Sequence, residues 1–285
     1  MKVLVLGVTG MLGHALFKLF SADAKYETWG TLRSVAGVKH FSNLQQERLL
    51  TNIDVLDQDV LVGALLKVRP DVVVNCVGLI KQLADAKDPL SALPINAMLP
   101  HRLAKLCELM SARLVHVSTD CVFSGRKGFY RETDLSDAED LYGKSKYIGE
   151  LHGLNHAITL RTSIIGHELG SAYALVDWFL SQNKSVNGYA KAVFSGLPTV
   201  ELARVIKDYV LPNPGLGGLY HVSAEPIDKL SLLRLVAKTY GKNIEIKADE
   251  EFCIDRSLDS SRFRQATGYV PLTWPDLVEY MHNSR

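Results

Sequence analysis

Tyr142 and Lys146, four residues apart in the stretch LYGKSKYIGE (141–150), are a pair equipped for proton chemistry. On a helix, positions i and i+4 stand one above the other on the same face, so the phenol and the ammonium reach one pocket. A free tyrosine has a pKa of about 10, too high for efficient proton exchange at neutral pH. A nearby cation stabilises the phenolate and lowers that value. A phenol tuned in this way can hand a proton to a carbonyl oxygen as hydride arrives at the carbon, or take one from an alcohol. The same spacing also occurs on many helices as a solvated pair, so the chemistry depends on what precedes it in the chain.

The positioning elements begin at the N-terminus. Lys2 to Leu6 is a short apolar run suited to a parallel strand buried on both faces. It leads into Gly7-Val8-Thr9-Gly10-Met11-Leu12-Gly13 and then an apolar-periodic helix. G-x-x-G-x-x-G between a strand and a helix is the context of a dinucleotide fingerprint. Gly7 permits the tight turn, Gly10 lets backbone approach a pyrophosphate, and Gly13 lets the helix pack on the strand. Thr9, Met11 and Leu12 complete the loop, and the helix N-terminus offers unpaired N–H groups and a positive dipole end.

The second strand, Tyr26 to Thr31, runs on into Leu32-Arg33-Ser34. This fold often places an acid there for the ribose hydroxyls. Arg33 stands in its place, either as a solvated arginine or as a partner for the 2′-phosphate of NADP(H). A third strand is expected to end near Ile53-Asp54-Val55, where Asp54 can accept from an adenine amino group or cap the next helix. That helix runs from about Gln58 to Val68. Asp71 to Val77 reads as the fourth strand, with Asn75, Cys76 and Gly78 at its carboxyl end, where ligands bind in open α/β sheets. Lys81 follows in the same loop and can meet an anionic substrate. A helix over Asn96 to Met110 precedes a fifth strand, Arg113 to Ser118, which delivers Ser118-Thr119-Asp120-Cys121 to the same edge. A hydroxyl there can hydrogen-bond the substrate oxygen beside Tyr142, although such a sequence after a strand is commonly turn chemistry. A sixth strand is expected over His156 to Arg161.

Strands alternating with helices predict an α/β fold with a Rossmann-type doubly wound parallel sheet over residues 1–166. Beyond it the pattern turns irregular. Pro198 to Val210 reads as a helix and Gly218 to Val222 as a strand, and residues 198–223 are expected to return to the first sheet. Leu230 to Tyr240 reads as a further helix and Ile244 to Lys247 as a strand. Residues 167–285 are expected to form mainly a smaller, substrate-binding domain that closes on the site.

Composition narrows the function classes. The 285 residues are 47% hydrophobic and 22% charged with a net charge of +1, ordinary globular values that give no basic stripe for a nucleic acid polymer and no lysine-rich helix for a membrane surface. The four cysteines include no C-x-x-C, and the nine histidines show no ligand spacing with them. A metal or disulfide framework is not expected, and a cytoplasmic location is.

The glycine fingerprint, the hydroxyl-bearing strand end and Tyr-x-x-x-Lys occur here in the order found in the extended short-chain dehydrogenase/reductases, which the chain resembles over its length. Within that superfamily it is most similar to the dTDP-4-dehydrorhamnose reductases and related nucleotide-sugar 4-keto reductases. The stretches that carry the likeness are STDCVFSG (118–125), YGKSKYIGE (142–150), RTSIIG (161–166) and LDSSRF (258–263). The resemblance implies that Thr119, Tyr142 and Lys146 form the catalytic set. Tyr142 is then the proton donor, Lys146 binds the nicotinamide ribose and lowers the tyrosine pKa, and Thr119 polarises the sugar carbonyl. The substrate is implied to meet Lys81, Ser118, Cys121 and Phe123 as well. NADP(H) is the implied cofactor, with NAD(H) the alternative, and a homodimer is the implied assembly.

Dehydratases of this superfamily carry T-D-E where this chain has Thr119-Asp120-Cys121, and a thiol does not replace that glutamate. Reduction is therefore expected over dehydration. Relatives with S-T-D-C-V-F include reductases of UDP-linked N-acetylated 6-deoxy sugars in cell-surface polysaccharide synthesis. A nucleotide-sugar epimerase and a non-catalytic regulatory subunit, like the similar β-subunit of methionine adenosyltransferase, are the rival expectations.

Overall fold

The structure is a computed structural model that describes residues 1–79 and 87–285. In chain order it holds β1 (Lys2–Leu6), α1 (Met11–Ser21), β2 (Glu27–Thr31), α2 (Asn43–Gln46), β3 (Leu49–Leu50), α3 (Gln58–Val68), β4 (Val72–Asn75), α4 (Pro89–Ala92), α5 (Leu99–Leu109), β5 (Arg113–Thr119), α6 (Leu141–Ile148) and β6 (Ala157–Thr162). There follow β7 (Ile164–Ile165), α7 (Leu175–Ser181), β8 (Val186–Phe194), β9 (Leu197–Pro198), α8 (Thr199–Val205), β10 (Gly218–His221), β11 (Ile227–Asp228), α9 (Lys229–Thr239), β12 (Ile246–Asp255), α10 (Ser261–Thr267) and α11 (Trp274–Asn283).

Seven strands form one sheet in the order β10-β6-β5-β4-β1-β2-β3. Every pairing in it is parallel. β1 shows why its apolar run is continuous. Val3 and Val5 join the core on the face covered by α1 and α8, while Leu4 and Leu6 join the opposite core with Leu61 and Leu65 of α3 and Leu103 of α5. A strand buried on both faces has no solvent side on which to alternate polar residues. Helix α3 starts where the Asp57 carboxylate accepts from the N–H groups of Asp59 and Val60, an N-cap.

β10 enters this sheet from late in the chain, pairing Gly218 with Ile158 and His221 with Arg161. A second sheet, β11-β8-β12, stands apart from the first. The irregular sequence after residue 166 contains α7 and β8. The period-two burial of β8 puts Gly188 and the half-buried Ala190 at inward positions, small residues that leave its alternation faint in sequence.

Three expected elements differ. The third strand is only Leu49–Leu50, because the chain bends at Asn52, whose φ of 58° ends extended structure before Asp54. The helix expected over Asn96 to Met110 begins earlier and contains a π-turn over Leu93–Met98 before α5. Pro94 has no N–H to continue an α-helical ladder there. The strand expected over Ile244 to Lys247 is the ten-residue β12.

Candidate active site

The carboxyl ends of β1, β4, β5 and β6 open onto a cleft of about 510 Å³. On the cofactor side Gly7 has φ +82°, a left-handed conformation natural to glycine. A Cβ at Gly13 would collide with the Gly7 carbonyl, so the helix can sit this close only as glycine. Gly10 is the N-cap of α1 and brings no side chain to it. The first-turn N–H groups of α1 are thus left to a ligand, and the cradle suits a pyrophosphate. Met11 and Leu12 line the cleft with Gly10. Thr9 lies against Gly37 beyond the end of β2.

Around the adenosine end, Arg33 is exposed just past β2. The Ser34 hydroxyl accepts from Ala36 N–H at 3.3 Å and so serves its own turn. Asp54 accepts from Leu56 N–H at 2.9 Å, also a turn contact, and Val55 packs against the core beneath it. Asn75 shapes the end of β4, with its carbonyl accepting from Val77 N–H at 3.1 Å. Cys76 beside it is no nucleophile, since burial pushes its thiol up to about 12. A Cβ on Gly78 would stand 3.9 Å from Lys146 Nζ. Lys81 lies outside the described residues.

Asn96 was not anticipated. Buried in the π-turn, it accepts from Leu79 N–H at 2.9 Å. It donates to Leu79 carbonyl at 3.3 Å and to Ser145 Oγ at 3.2 Å. It thereby ties the β4 loop to the Tyr142 helix. A polar residue inside an apolar helical pattern was the only signal for it.

Helix α6 is started by Asp140, whose carboxylate accepts from Gly143 N–H at 2.7 Å. Gly143 packs so tightly under the Cys121 carbonyl that a Cβ would clash. This contact seats Tyr142 against the end of β5, in the cleft wall that Thr119 also lines. Thr119 Oγ1 accepts from Cys121 N–H at 3.1 Å and donates to Asp120 at 3.2 Å. Lys146 is buried, and its ammonium donates to the Val117 carbonyl at 2.8 Å. Thr119, Tyr142 and Lys146 all line the one cleft.

Their electrostatics depart from expectation. Burial pushes the Tyr142 phenol above its usual value, with the Cys121 and Asp120 side chains adding to the effect. Burial lowers Lys146 to about 8, partly opposed by Glu150. Desolvation, which disfavours the charged form of each group, dominates both shifts. At neutral pH the phenol keeps its proton, the state a donor requires.

Ser118 and Phe123, both expected at the substrate, have partners within the protein, and of the two Ser118 lines the cleft. Ser118 donates to Glu150 at 2.7 Å. Phe123 is fully buried, stacked on Tyr130 with ring centroids 4.1 Å apart and beneath the Arg161 guanidinium. Glu150 and Arg161 form a buried two-point ion pair at 2.7 and 2.6 Å. Arg161 also meets His221 at 3.3 Å. Burial and Arg161 push that imidazole down to about 3, so it stays neutral and its Nδ1 donates to the Tyr130 carbonyl. Cys121 does line the cleft, as do Lys229 and Arg256 on its far wall. Those two are more than eighty residues from Tyr142 in sequence, and only the fold brings them near it. Among the described residues no cluster of metal-ligating side chains is present, and no helix is long and apolar enough to cross a membrane.

The chain is 25% identical over 297 residues to the dTDP-4-dehydrorhamnose reductase of Aggregatibacter actinomycetemcomitans, covering 96% of this chain and 95% of that protein. It is 28% identical over 251 residues to the methionine adenosyltransferase 2 subunit beta of Danio rerio, covering 84% and 74%. The solved dTDP-4-dehydrorhamnose reductase of Bacillus anthracis in complex with NADP superposes with a TM-score of 0.79 at 22% identity, over 99% of this chain and 98% of that one. The model of the RmlD substrate binding domain family matches residues 1–251, which hold all seven strands of the main sheet and Thr119, Tyr142 and Lys146, and the chain belongs to that family.

Proposed function

We propose that the protein reduces the 4-keto group of a nucleotide-linked 4-keto-6-deoxy sugar with NADPH, in precursor synthesis for a cell-surface polysaccharide. The observation that supports this best is that Thr119, a protonated Tyr142 and Lys146 line one cleft with the glycine turn and the uncapped start of α1. NADPH, when bound, supplies hydride. Tyr142 gives the proton to the carbonyl oxygen. Lys146 holds a ribose hydroxyl once its ammonium leaves the Val117 carbonyl. Residues 167–285 mainly hold the sugar nucleotide. Cys121, where a dehydratase has glutamate, leaves elimination without its base. NADPH absorbance should fall when the protein meets dTDP- or UDP-4-keto-6-deoxyhexoses. The unmodified nucleotide hexoses should stay unchanged, and a 4-keto product from one of them would refute the assignment.

The cofactor preference is expected to depend on Arg33. A guanidinium can take a 2′-phosphate through two parallel bonds. A hydrogen bond to a charged group is worth roughly 1.5–3 kcal/mol, about 10- to 100-fold in affinity. Arg33→Ala should therefore weaken NADPH by about that factor and leave NADH nearly unchanged, read as kcat/KM for both cofactors. Equal losses would mean that Arg33 merely supports the loop. The relatives named methionine adenosyltransferase 2 subunit beta favour a second reading, a binding subunit without turnover. Absence of turnover across the same panel of sugars would support it.

A further inference from the structure

His116 lies in the middle of β5, 1% exposed, and the proposed reduction leaves it unused. Its Nε2 is buried and has no partner among the described residues. A buried donor left unpaired destabilises a fold, so packing alone favours an apolar side chain at this strand position. What the imidazole supplies is an acceptor. His116 pairs in register with Asn75, the last residue of β4, and its Nδ1 stands 3.2 Å from the Asn75 amide nitrogen. That amide has one usable orientation. Its oxygen accepts from Val77 N–H at 3.1 Å, which the nitrogen end cannot do. The nitrogen end therefore faces His116 and donates, so Nδ1 accepts and the imidazole proton sits on Nε2.

Val77 in turn packs on the glycine fingerprint. A Cβ at Gly7 would stand 3.0 Å from Val77 Cγ2 and 3.5 Å from the Val77 backbone nitrogen. Asn75, Cys76, Val77 and Gly78 all line the cleft with Gly10. The imidazole holds the amide, the amide holds the turn after β4, and that turn backs the start of the pyrophosphate cradle. A proton on Nδ1 would set N–H against N–H. The amide would then turn over, and Val77 N–H would lose its acceptor. Burial, Lys146 on α6 and His101 on α5 all disfavour the imidazolium and hold its pKa well below the ordinary histidine value.

We propose that His116 is a positioning residue of the cofactor site, whose bare Nδ1 fixes the Asn75 amide and, through Val77, the seat of the glycine turn. His116 itself does not line the cleft, so it acts through Asn75. The inference rests on the dinucleotide half of the reductase reading.

Two variants separate this role from packing. His116→Leu fills the space but offers no acceptor. His116→Asn is smaller, yet its side-chain oxygen takes the place of Nδ1. In the full chain, His116→Leu should weaken NADPH and NADH alike by about tenfold in a fluorescence titration, because both carry the pyrophosphate that the turn backs. His116→Asn should bring affinity back to within about twofold of the wild type, although it leaves the larger gap in the core. A packing role alone gives the opposite order, with Asn the weaker binder, and that order would overturn the proposal. So would wild-type affinity in His116→Leu. A second readout needs no ligand. Nitrogen-15 NMR of the histidine-labelled wild type should place the His116 proton on Nε2 at every pH at which the chain stays folded. Hydrogen exchange should show the Val77 amide losing protection in His116→Leu and keeping it in His116→Asn. A proton on Nδ1, or Val77 protection indifferent to both changes, would cut the link to the turn. If the wild type binds neither dinucleotide the reductase reading fails, while the tautomer and the Val77 amide still decide whether His116 sets the turn. Sugar reduction by the wild type with affinity unmoved in both variants would sink this inference and leave the reductase reading intact.

Discussion

Tyr142→Phe is expected to fold, bind NADPH as the wild type does, and lose reduction by about 10²–10⁴-fold in kcat, the usual contribution of a positioned acid. The change removes one oxygen. Helix α6 keeps its Asp140 cap and its Gly143 contact with the Cys121 carbonyl, because neither involves the phenol. Thr119 keeps its bonds to Cys121 N–H and Asp120. The loss should therefore appear in kcat, while the NADPH dissociation constant measured by fluorescence stays the same. Near wild-type kcat would end the mechanism and favour a binding role for the fold.

Glu150→Ala should produce the largest loss of stability among the changes considered. It leaves the Arg161 guanidinium, 1% exposed, without its carboxylate. Removing one partner of a buried ion pair costs about 3–5 kcal/mol. The same carboxylate holds Ser118, the residue before Thr119, so the catalytic wall should loosen as well. Urea unfolding should show a lower midpoint with little change in slope. The double variant Glu150→Ala/Arg161→Met should be less damaged than the sum of its single changes, since it buries no unpaired charge. Additive losses would mean that the pair is not coupled as its geometry indicates.

The sheet was legible because its strands are short, continuously apolar and bounded by glycine, proline or capping residues. Gly7 and Gly13 announced the turn through spacing that backbone geometry requires. Thr119, Tyr142 and Lys146 were legible because each sits at a predictable point, two at i and i+4 on one helix and one at a strand end. Asn96 was hidden because the π-turn that aims it has no simple sequence period. Glu150 and Arg161 were hidden because a buried ion pair joins residues that look like surface charges in sequence. The far wall was hidden for a different reason. Lys229 and Arg256 belong to α9 and the end of β12, and only packing of β8, β11 and β12 brings them opposite Asp120. The phenol's pKa was misjudged because spacing reveals the neighbouring cation but not the depth of burial.

The most direct measurement of the central claim is transfer of isotope from cofactor to sugar. The wild-type protein is mixed with NADPH carrying deuterium on the transferable position of its nicotinamide and with a UDP- or dTDP-4-keto-6-deoxyhexose. Mass spectrometry and proton NMR then follow the sugar. The product should be the 4-hydroxy sugar with one deuterium on C4 and none elsewhere, formed by the wild type and, at a rate lower by about 10²–10⁴-fold, by Tyr142→Phe. Unchanged keto sugar, or an inverted sugar without deuterium, would contradict reduction at this site.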